Sequence, residues 1–171
     1  SGGHIFPALS FLERIKEAHK DSNVLLVIPR KSALRETLRQ QYNVAFISIS
    51  SITLKASLKN LFGLLRFLKG CIESVGIVAK FRPDIIVGFG SISSIPLLLC
   101  GCLLGIKTLV HEQNVIPGRA NRILFRFVDK VAVSFKESYA YLRRLERKIV
   151  LTGNPIRQSL QRCQKERALD F

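Results

Sequence analysis

Short runs of β-branched and apolar residues alternate with amphipathic stretches along the whole chain, and this alternation constrains the fold more than any other feature. Strand-like runs separated by helix-length segments are too far apart for tight hairpins. They pair in parallel instead, with each crossover helix laid over a face of the sheet. The runs fall at residues 24–28, 44–49, 84–89, 108–111, 130–134 and 149–151. The segments between them predict helices starting near Pro7, Lys31, Ser57, Ser94, Pro117 and Phe135, with a last one after Pro155. Pro7 and Pro117 suit a first helical turn, where a missing amide proton costs nothing. Ile85-Ile86-Val87 is apolar on both faces, so cover from both sides is expected. The expected fold class is therefore α/β, a Rossmann-like parallel sheet flanked by helices.

The start of the chain departs from this order. Ser1-Gly2-Gly3-His4, with Pro7 behind it, reads as a glycine loop opening a helix, yet such a loop normally follows a strand and none precedes it. The expectation is a sheet whose first, central strand lies outside the chain, leaving two strand edges open.

With 171 residues, 47% of them hydrophobic, and no repeat or low-complexity tract, a single domain is expected. Lys and Arg number 27 against 12 Asp and Glu, and the resulting charge of +15 favours a polyanion: nucleic acid, anionic lipid or a phosphorylated substrate. Nucleic acid is disfavoured, because there is no zinc-finger spacing, no aromatic RNA-binding strand signature and no concentrated basic arm. Cys71, Cys100, Cys102 and Cys163 form neither a CxxC pair nor a zinc spacing, and read as reduced, buried thiols of a cytoplasmic protein. The most apolar run, residues 95–106, contains Pro96 and falls well short of the ~20 residues that cross a bilayer.

Five segments carry chemistry. In Ser1-Gly2-Gly3-His4 the glycines let backbone approach a phosphate, and the amides opening a helix favour an anion; a glycine pair is also, and more often, a plain turn. Val87-Gly88-Phe89-Gly90-Ser91-Ile92-Ser93-Ser94 runs from a strand through small residues into a helix, and reads equally as a ligand loop or as a turn with a serine N-cap. His111-Glu112-Gln113-Asn114 sets four polar side chains at a strand end, with Asn121 one helix entry later. Packing alone explains such a cluster poorly, because buried polar groups must find partners. Neighbours in an extended segment point to opposite sides, so His111 and Glu112 are poorly placed to share a metal. Gly153-Asn154-Pro155-Ile156-Arg157 makes a turn whose Arg157 suits a carboxylate or phosphate, though a surface turn is the simpler reading. Finally, the stretch 58–69 holds Leu58, Leu61, Phe62, Leu65 and Phe67 at helical spacing, more apolar residues than one core-facing stripe needs. Lys55, Lys59, Arg66 and Lys69 are interleaved or adjacent. A core helix accounts for part of this; an amphipathic surface lying on anionic lipid accounts for the excess.

In this order the segments resemble the MurG family of cell-wall N-acetylglucosaminyltransferases. The residues that carry the resemblance are Gly2-Gly3-His4 with Pro7-Ala8-Leu9, and Pro83-Asp84 leading through Val87-Gly88-Phe89-Gly90 to Pro96. They continue with Leu104-Gly105-Ile106, His111-Glu112-Gln113-Asn114, Gly118 with Asn121-Arg122, and Gly153-Asn154-Pro155 with Arg157. The resemblance implies a GT-B architecture, two Rossmann-like domains facing across a cleft. Residues 1–157 would form the acceptor-side N-terminal domain and 158–171 the start of the interdomain connection, with the donor domain not included. It also implies an inverting transfer of N-acetylglucosamine from UDP-N-acetylglucosamine to an undecaprenyl-diphosphate-linked N-acetylmuramoyl-pentapeptide, at the cytoplasmic face of a bacterial membrane that the protein touches peripherally.

By the same resemblance Ser1, Gly2, Gly3, Asn114 and Arg157 map to donor-contacting positions, and Gly90, Ser91, Ser94 and Asn121 to the acceptor side. Ser1 stands where the family usually has Thr. The second loop, Gly90-Ser91-Ile92-Ser93-Ser94-Ile95-Pro96, stands where the family usually reads GGYVSGP. His4 is the first candidate for the base that takes the proton of the attacking hydroxyl, with Glu112 and His111 as fallbacks. No metal or cofactor is expected, since helix amides and cationic side chains usually serve the leaving diphosphate in this architecture. Two other classes stay open: a non-catalytic, membrane-recruiting half of a split glycosyltransferase, and a nucleotide-binding regulator.

Overall fold

In a computed structural model, the structure describes residues 2–49 and 58–156. The chain opens with helix α1 (Gly2–Ala18), then alternates: β1 (Leu26–Pro29), α2 (Arg35–Gln41), β2 (Val44–Ile47), α3 (Leu58–Phe81), β3 (Ile85–Gly88), α4 (Ser94–Leu103), β4 (Lys107–Glu112), α5 (Arg119–Leu124) and β5 (Lys130–Val133). Two 3-10 turns, Lys136–Tyr141 and Arg143–Lys148, lead to β6 (Ile149–Leu151). Every strand pair is parallel. The strands form two sheets, β1-β2 and β3-β4-β5-β6. Among the described residues, the edges of β1 away from β2 and of β3 away from β4 carry no strand.

Two helices tie the sheets together. Leu9 of α1 clusters with Ile28 and Leu38 beside the smaller sheet, while Phe11 of the same helix packs on Phe89 at the end of β3, ring centroids 5.7 Å apart. Helix α3 meets the end of β2 closely, where a side chain at Gly70 would lie 2.7 Å from the Ser48 carbonyl oxygen. Glu73 of α3 accepts hydrogen bonds there from the Ser48 amide, the Ser48 hydroxyl and Arg30. Farther along, Val78 of α3 joins the main core of Ile86, Leu98, Val110, Leu124, Val128, Val131 and Val133. Residues in β4 and β5 are buried almost continuously, as strands covered on both faces must be. The expectation of two-sided cover holds for Ile86 but not for Ile85, which is 52% exposed.

Three local expectations are corrected. The Gly2-Gly3-His4 stretch is the first turn of α1 rather than a loop before it, so Pro7 lies inside the helix. Helix α4 does begin at Ser94, but Ser93, its N-cap residue, makes no side-chain capping bond. Instead the Ser94 hydroxyl donates to the Ser91 carbonyl at 2.6 Å. The helix predicted from Phe135 is two 3-10 turns, broken at Leu142, whose φ of −124° is not helical and whose side chain is drawn into the core. The helix expected after Pro155 lies outside the described residues. Cys71, Cys100 and Cys102 are free thiols, Cys100 buried and the others half-buried; Cys163 lies outside the described residues.

Candidate functional site

The carboxyl ends of β3 and β4 and the turn after β6 converge with the first turn of α1, the place where open α/β sheets bind ligands. Position along β4 sorts its polar residues. In an extended segment alternate side chains point to opposite sides, and His111 and Gln113 make one set of contacts while Glu112 and Asn114 make another.

The Glu112 side is a closed network. Glu112 is 1% exposed. One carboxylate oxygen accepts from the Asn114 amide at 2.9 Å and the Asn114 side chain at 3.0 Å. The other accepts from the Gly118 amide at 2.9 Å and Asn121 Nδ2 at 2.8 Å. These bonds fold the segment 112–121 around one buried charge, which repays its desolvation by accepting from four donors. Asn121 Nδ2 also donates to the His111 carbonyl, while its Oδ1 is buried without a partner. Asn121 lies beneath Gly90, where an added Cβ would stand 2.8 Å from Asn121 Nδ2 and where φ is +82°. Both features demand glycine.

The His111 side runs across the sheet. His111, 4% exposed, places Nε2 at 3.0 Å from the Gly153 carbonyl and Nδ1 at 3.2 Å from Gln113 Nε2. Its ring also packs on Phe89, with centroids 5.6 Å apart. Gln113 Nε2 donates as well to the carbonyls of Phe89 at 3.3 Å and His111 at 3.2 Å. Gln113 Oε1 lies 3.4 Å from His4 Nδ1 in the first turn of α1. Burial pushes the His111 pKa down and outweighs the Gly153 carbonyl and the Glu112 charge, which push it up; the imidazole is held neutral.

The comparisons with known proteins bear on this arrangement. The glycosyltransferase family 28 N-terminal domain matches residues 1–133. The chain belongs to glycosyltransferase family 28. It is 40% identical over 158 residues to a UDP-N-acetylglucosamine–N-acetylmuramyl-(pentapeptide) pyrophosphoryl-undecaprenol N-acetylglucosamine transferase of Alkaliphilus oremlandii, covering 92% of this chain and 43% of that protein. A protein of the same name from Thermoanaerobacter is 38% identical over 170 residues, covering 99% of this chain and 46% of its own length. The chain thus spans less than half the length of these curated relatives. A crystal structure of Acinetobacter baumannii MurG aligns with a TM-score of 0.72 at 24% identity, over 92% of this chain and 43% of that one, and shows the shared fold.

Within this family 28 chain, the structure brings His4, Phe89, His111, Gln113 and Gly153 together. Gly90 and the half-buried Ser91 and Ser94 sit on the neighbouring loop. Asn114 is exposed at the rim. Asn121, expected to contact acceptor, is 1% exposed and underlies the loop instead of lining it. Glu112, a fallback base, has both oxygens committed. Gly3 is exposed in the first turn of α1. Ser1 and Arg157 lie outside the described residues, and Gly2 opens α1. Among the described residues, no three His, Cys, Asp or Glu side chains gather as a metal-holding group. Gln113, to which the sequence assigned no separate role, is the junction of the His111 network; its spacing of two from His111 was the available signal.

The apolar excess of α3 is on the surface. Leu61 is 53% exposed, Phe62 62%, Leu65 53% and Ile72 74%. With Leu68 and Val75, residues 61, 65, 68, 72 and 75 form one stripe at helical spacing that no described element covers. Phe67, grouped with them by sequence, is instead half-buried against the main core. The side chain of Leu58 is outside the described set. No helix among the described residues is long and apolar enough to cross a membrane.

Proposed function

We propose that this chain is the acceptor-side lobe of an inverting N-acetylglucosaminyltransferase, which moves N-acetylglucosamine from UDP-N-acetylglucosamine to an undecaprenyl-diphosphate-linked muramoyl-pentapeptide. The observation that carries the proposal is the polar cluster of His4, His111 and Gln113 at the carboxyl ends of the strands, in a chain that belongs to family 28. Residues 1–157 would be the lobe and 158–171 would lead toward a donor-binding domain, for which the relatives' greater length has room.

In this reading the 4-hydroxyl of the muramoyl sugar attacks the anomeric carbon of the donor from the face opposite the diphosphate. His4 takes the hydroxyl proton. The amides opening α1, with the partial positive charge of a helix start, and Arg157 offset charge on phosphate oxygens. Asn114, exposed at the rim, meets the donor, and the loop of Gly90, Ser91 and Ser94 meets the acceptor. The test is turnover of lipid-linked acceptor and UDP-N-acetylglucosamine by the full-length protein. His4→Ala should lower kcat roughly 10²- to 10⁴-fold, the usual contribution of general base catalysis, with acceptor KM largely kept. An unchanged kcat would remove His4 from the chemistry.

The same reading gives α3 its surface. A lipid-anchored acceptor brings the enzyme to the bilayer, and the stripe from Leu61 to Val75, with Arg66 and Lys69 exposed on the same helix, suits peripheral docking on the cytoplasmic leaflet. Each cation near anionic lipid contributes about 1 kcal/mol, and each inserted leucine or phenylalanine about 1.5–3 kcal/mol at most. Replacing Leu61, Phe62 and Leu65 by Ser should release the folded protein from anionic vesicles, and high salt should weaken binding of the parent. Full binding by the folded triple variant would move the docking surface elsewhere.

A further inference from the structure

We infer that Gln113 is a positioning residue that locks His4 in the tautomer protonated on Nδ1, presenting the Nε2 lone pair as the proton acceptor. The inference rests on the reading of His4 as base and adds what prepares it.

The polarity of the network follows from three backbone carbonyls, which can only accept. Gly153 O lies 3.0 Å from His111 Nε2, so Nε2 carries a proton. His111 is held neutral by burial, so its Nδ1 holds a lone pair. The Gln113 amide atom facing that lone pair at 3.2 Å also faces the Phe89 carbonyl at 3.3 Å and the His111 carbonyl at 3.2 Å. Surrounded by three acceptors, it is the NH₂ group, and the amide cannot be turned round. The other end of the amide is therefore a carbonyl oxygen, 3.4 Å from His4 Nδ1. An acceptor at that place calls for a donor, and a neutral imidazole with its proton on Nδ1 has its lone pair on Nε2.

Free histidine prefers the opposite tautomer, with the proton on Nε2. A base in that form would first have to shift its proton before it could act. Gln113 removes the shift. In the transfer step the hydroxyl oxygen bonds to the anomeric carbon, the bond from that carbon to the diphosphate oxygen breaks with its electron pair leaving on UDP, and the hydroxyl proton passes to His4 Nε2. The imidazolium keeps its Nδ1–H on Gln113 Oε1, whose partial negative charge faces the new positive one. His4 Nε2 has no hydrogen-bond partner among the described residues, and the side chain is half-buried at the mouth of the site.

The experiment is nitrogen NMR of the full-length protein labelled with ¹⁵N-histidine, recorded in alkaline buffer, with the His4 signals assigned by their loss in His4→Ala. The parent should show His4 protonated on Nδ1 and His111 protonated on Nε2. In Gln113→Met, which keeps the length of the side chain and loses its acceptor, His4 should revert to Nε2–H and kcat should fall about tenfold, a small part of the whole contribution of a general base. Gln113→Glu should restore the Nδ1–H tautomer through a carboxylate acceptor and shift the kcat profile on pH. Finding His4 of the parent as the Nε2–H tautomer overturns the inference without a variant that must fold, and leaves the base role of His4 standing. If the tautomer is as expected but His4→Ala turns over normally, the base reading fails and the inference falls with it.

Discussion

The two faces of the segment from His111 to Asn114 are built from the same extended backbone and finished differently. On one face a buried carboxylate is saturated: Glu112 accepts from two amides and two side-chain nitrogens, and has nothing left to offer a ligand. On the other face, in the polarity inferred for it, every donor points the same way, from His4 to Gln113, from Gln113 to His111 and from His111 to the Gly153 carbonyl, and the far nitrogen of His4 is left open. Saturation makes scaffolding, and on the proposed reading it is the uncommitted lone pair at the end of an oriented network that makes chemistry. The adjacent placement of Glu112 and His111 in sequence hides this difference, because both are buried and both are titratable.

The largest effect that sharpens the comparison is on stability. Glu112→Ala leaves the amides of Asn114 and Gly118 and the side chain of Asn121 without their acceptor, and an orphaned buried donor costs about 1–3 kcal/mol. A loss of roughly 3 kcal/mol or more is expected in denaturant unfolding, with activity falling in proportion to folded protein. Glu112→Gln keeps an acceptor oxygen and should lose less. If Glu112→Ala instead folded with near-parent stability and no turnover, the two faces would have exchanged roles. Asn114→Ala comes next. Its Nδ2 is one of the four donors to Glu112, but the residue is exposed, so about 1 kcal/mol of stability is expected to go while turnover falls by more than tenfold. Matched losses would return Asn114 to the scaffold.

Much of this was legible in the chain itself. Each strand lies within about two residues of its expected limits, because β-branched runs bounded by polar or glycine residues have few other outcomes. Alternation along β4 already separated His111 from Glu112. The first turn of α1 was not legible: two glycines read as a loop, yet the helix begins there and carries His4 toward Gln113, a partner 109 positions away. Nor was the role of Gln113, which depends on the carbonyl of Phe89, 24 positions away, and on His111 being oriented by Gly153, 42 positions away. Local patterns do not encode contacts of that range. The exposed stripe of α3 was visible as an excess of apolar residues, but its membership was not, since Phe67 packs against the core while Ile72 and Val75 extend the stripe outward.

The smallest expected effect is on the pH dependence of stability, and it isolates the His111 face. Burial lowers the pKa of His111 in the folded protein, whereas in the unfolded chain the imidazole titrates near 6.5. As pH falls below about 6.5 the unfolded state therefore binds more protons than the folded one. Stability is complete above that pH and declines as the solution is acidified toward the folded pKa. Glu73 and Asp129 also lose stability on acidification, but later. For Glu73 burial raises the pKa and is outweighed by the Ser48 amide, Arg30 and the Ser48 hydroxyl; for Asp129 the Thr108 amide and hydroxyl lower it. Their contributions are whole above the ordinary carboxylate range near 4 and fade below it, so between about pH 7.5 and 5.5 they are silent. Urea unfolding across that window should show a slope in the parent that His111→Gln lacks, at the cost of lower stability throughout. A slope that survives the substitution would mean that another group takes up the proton, and that His111 does not sit neutral between Gly153 and Gln113.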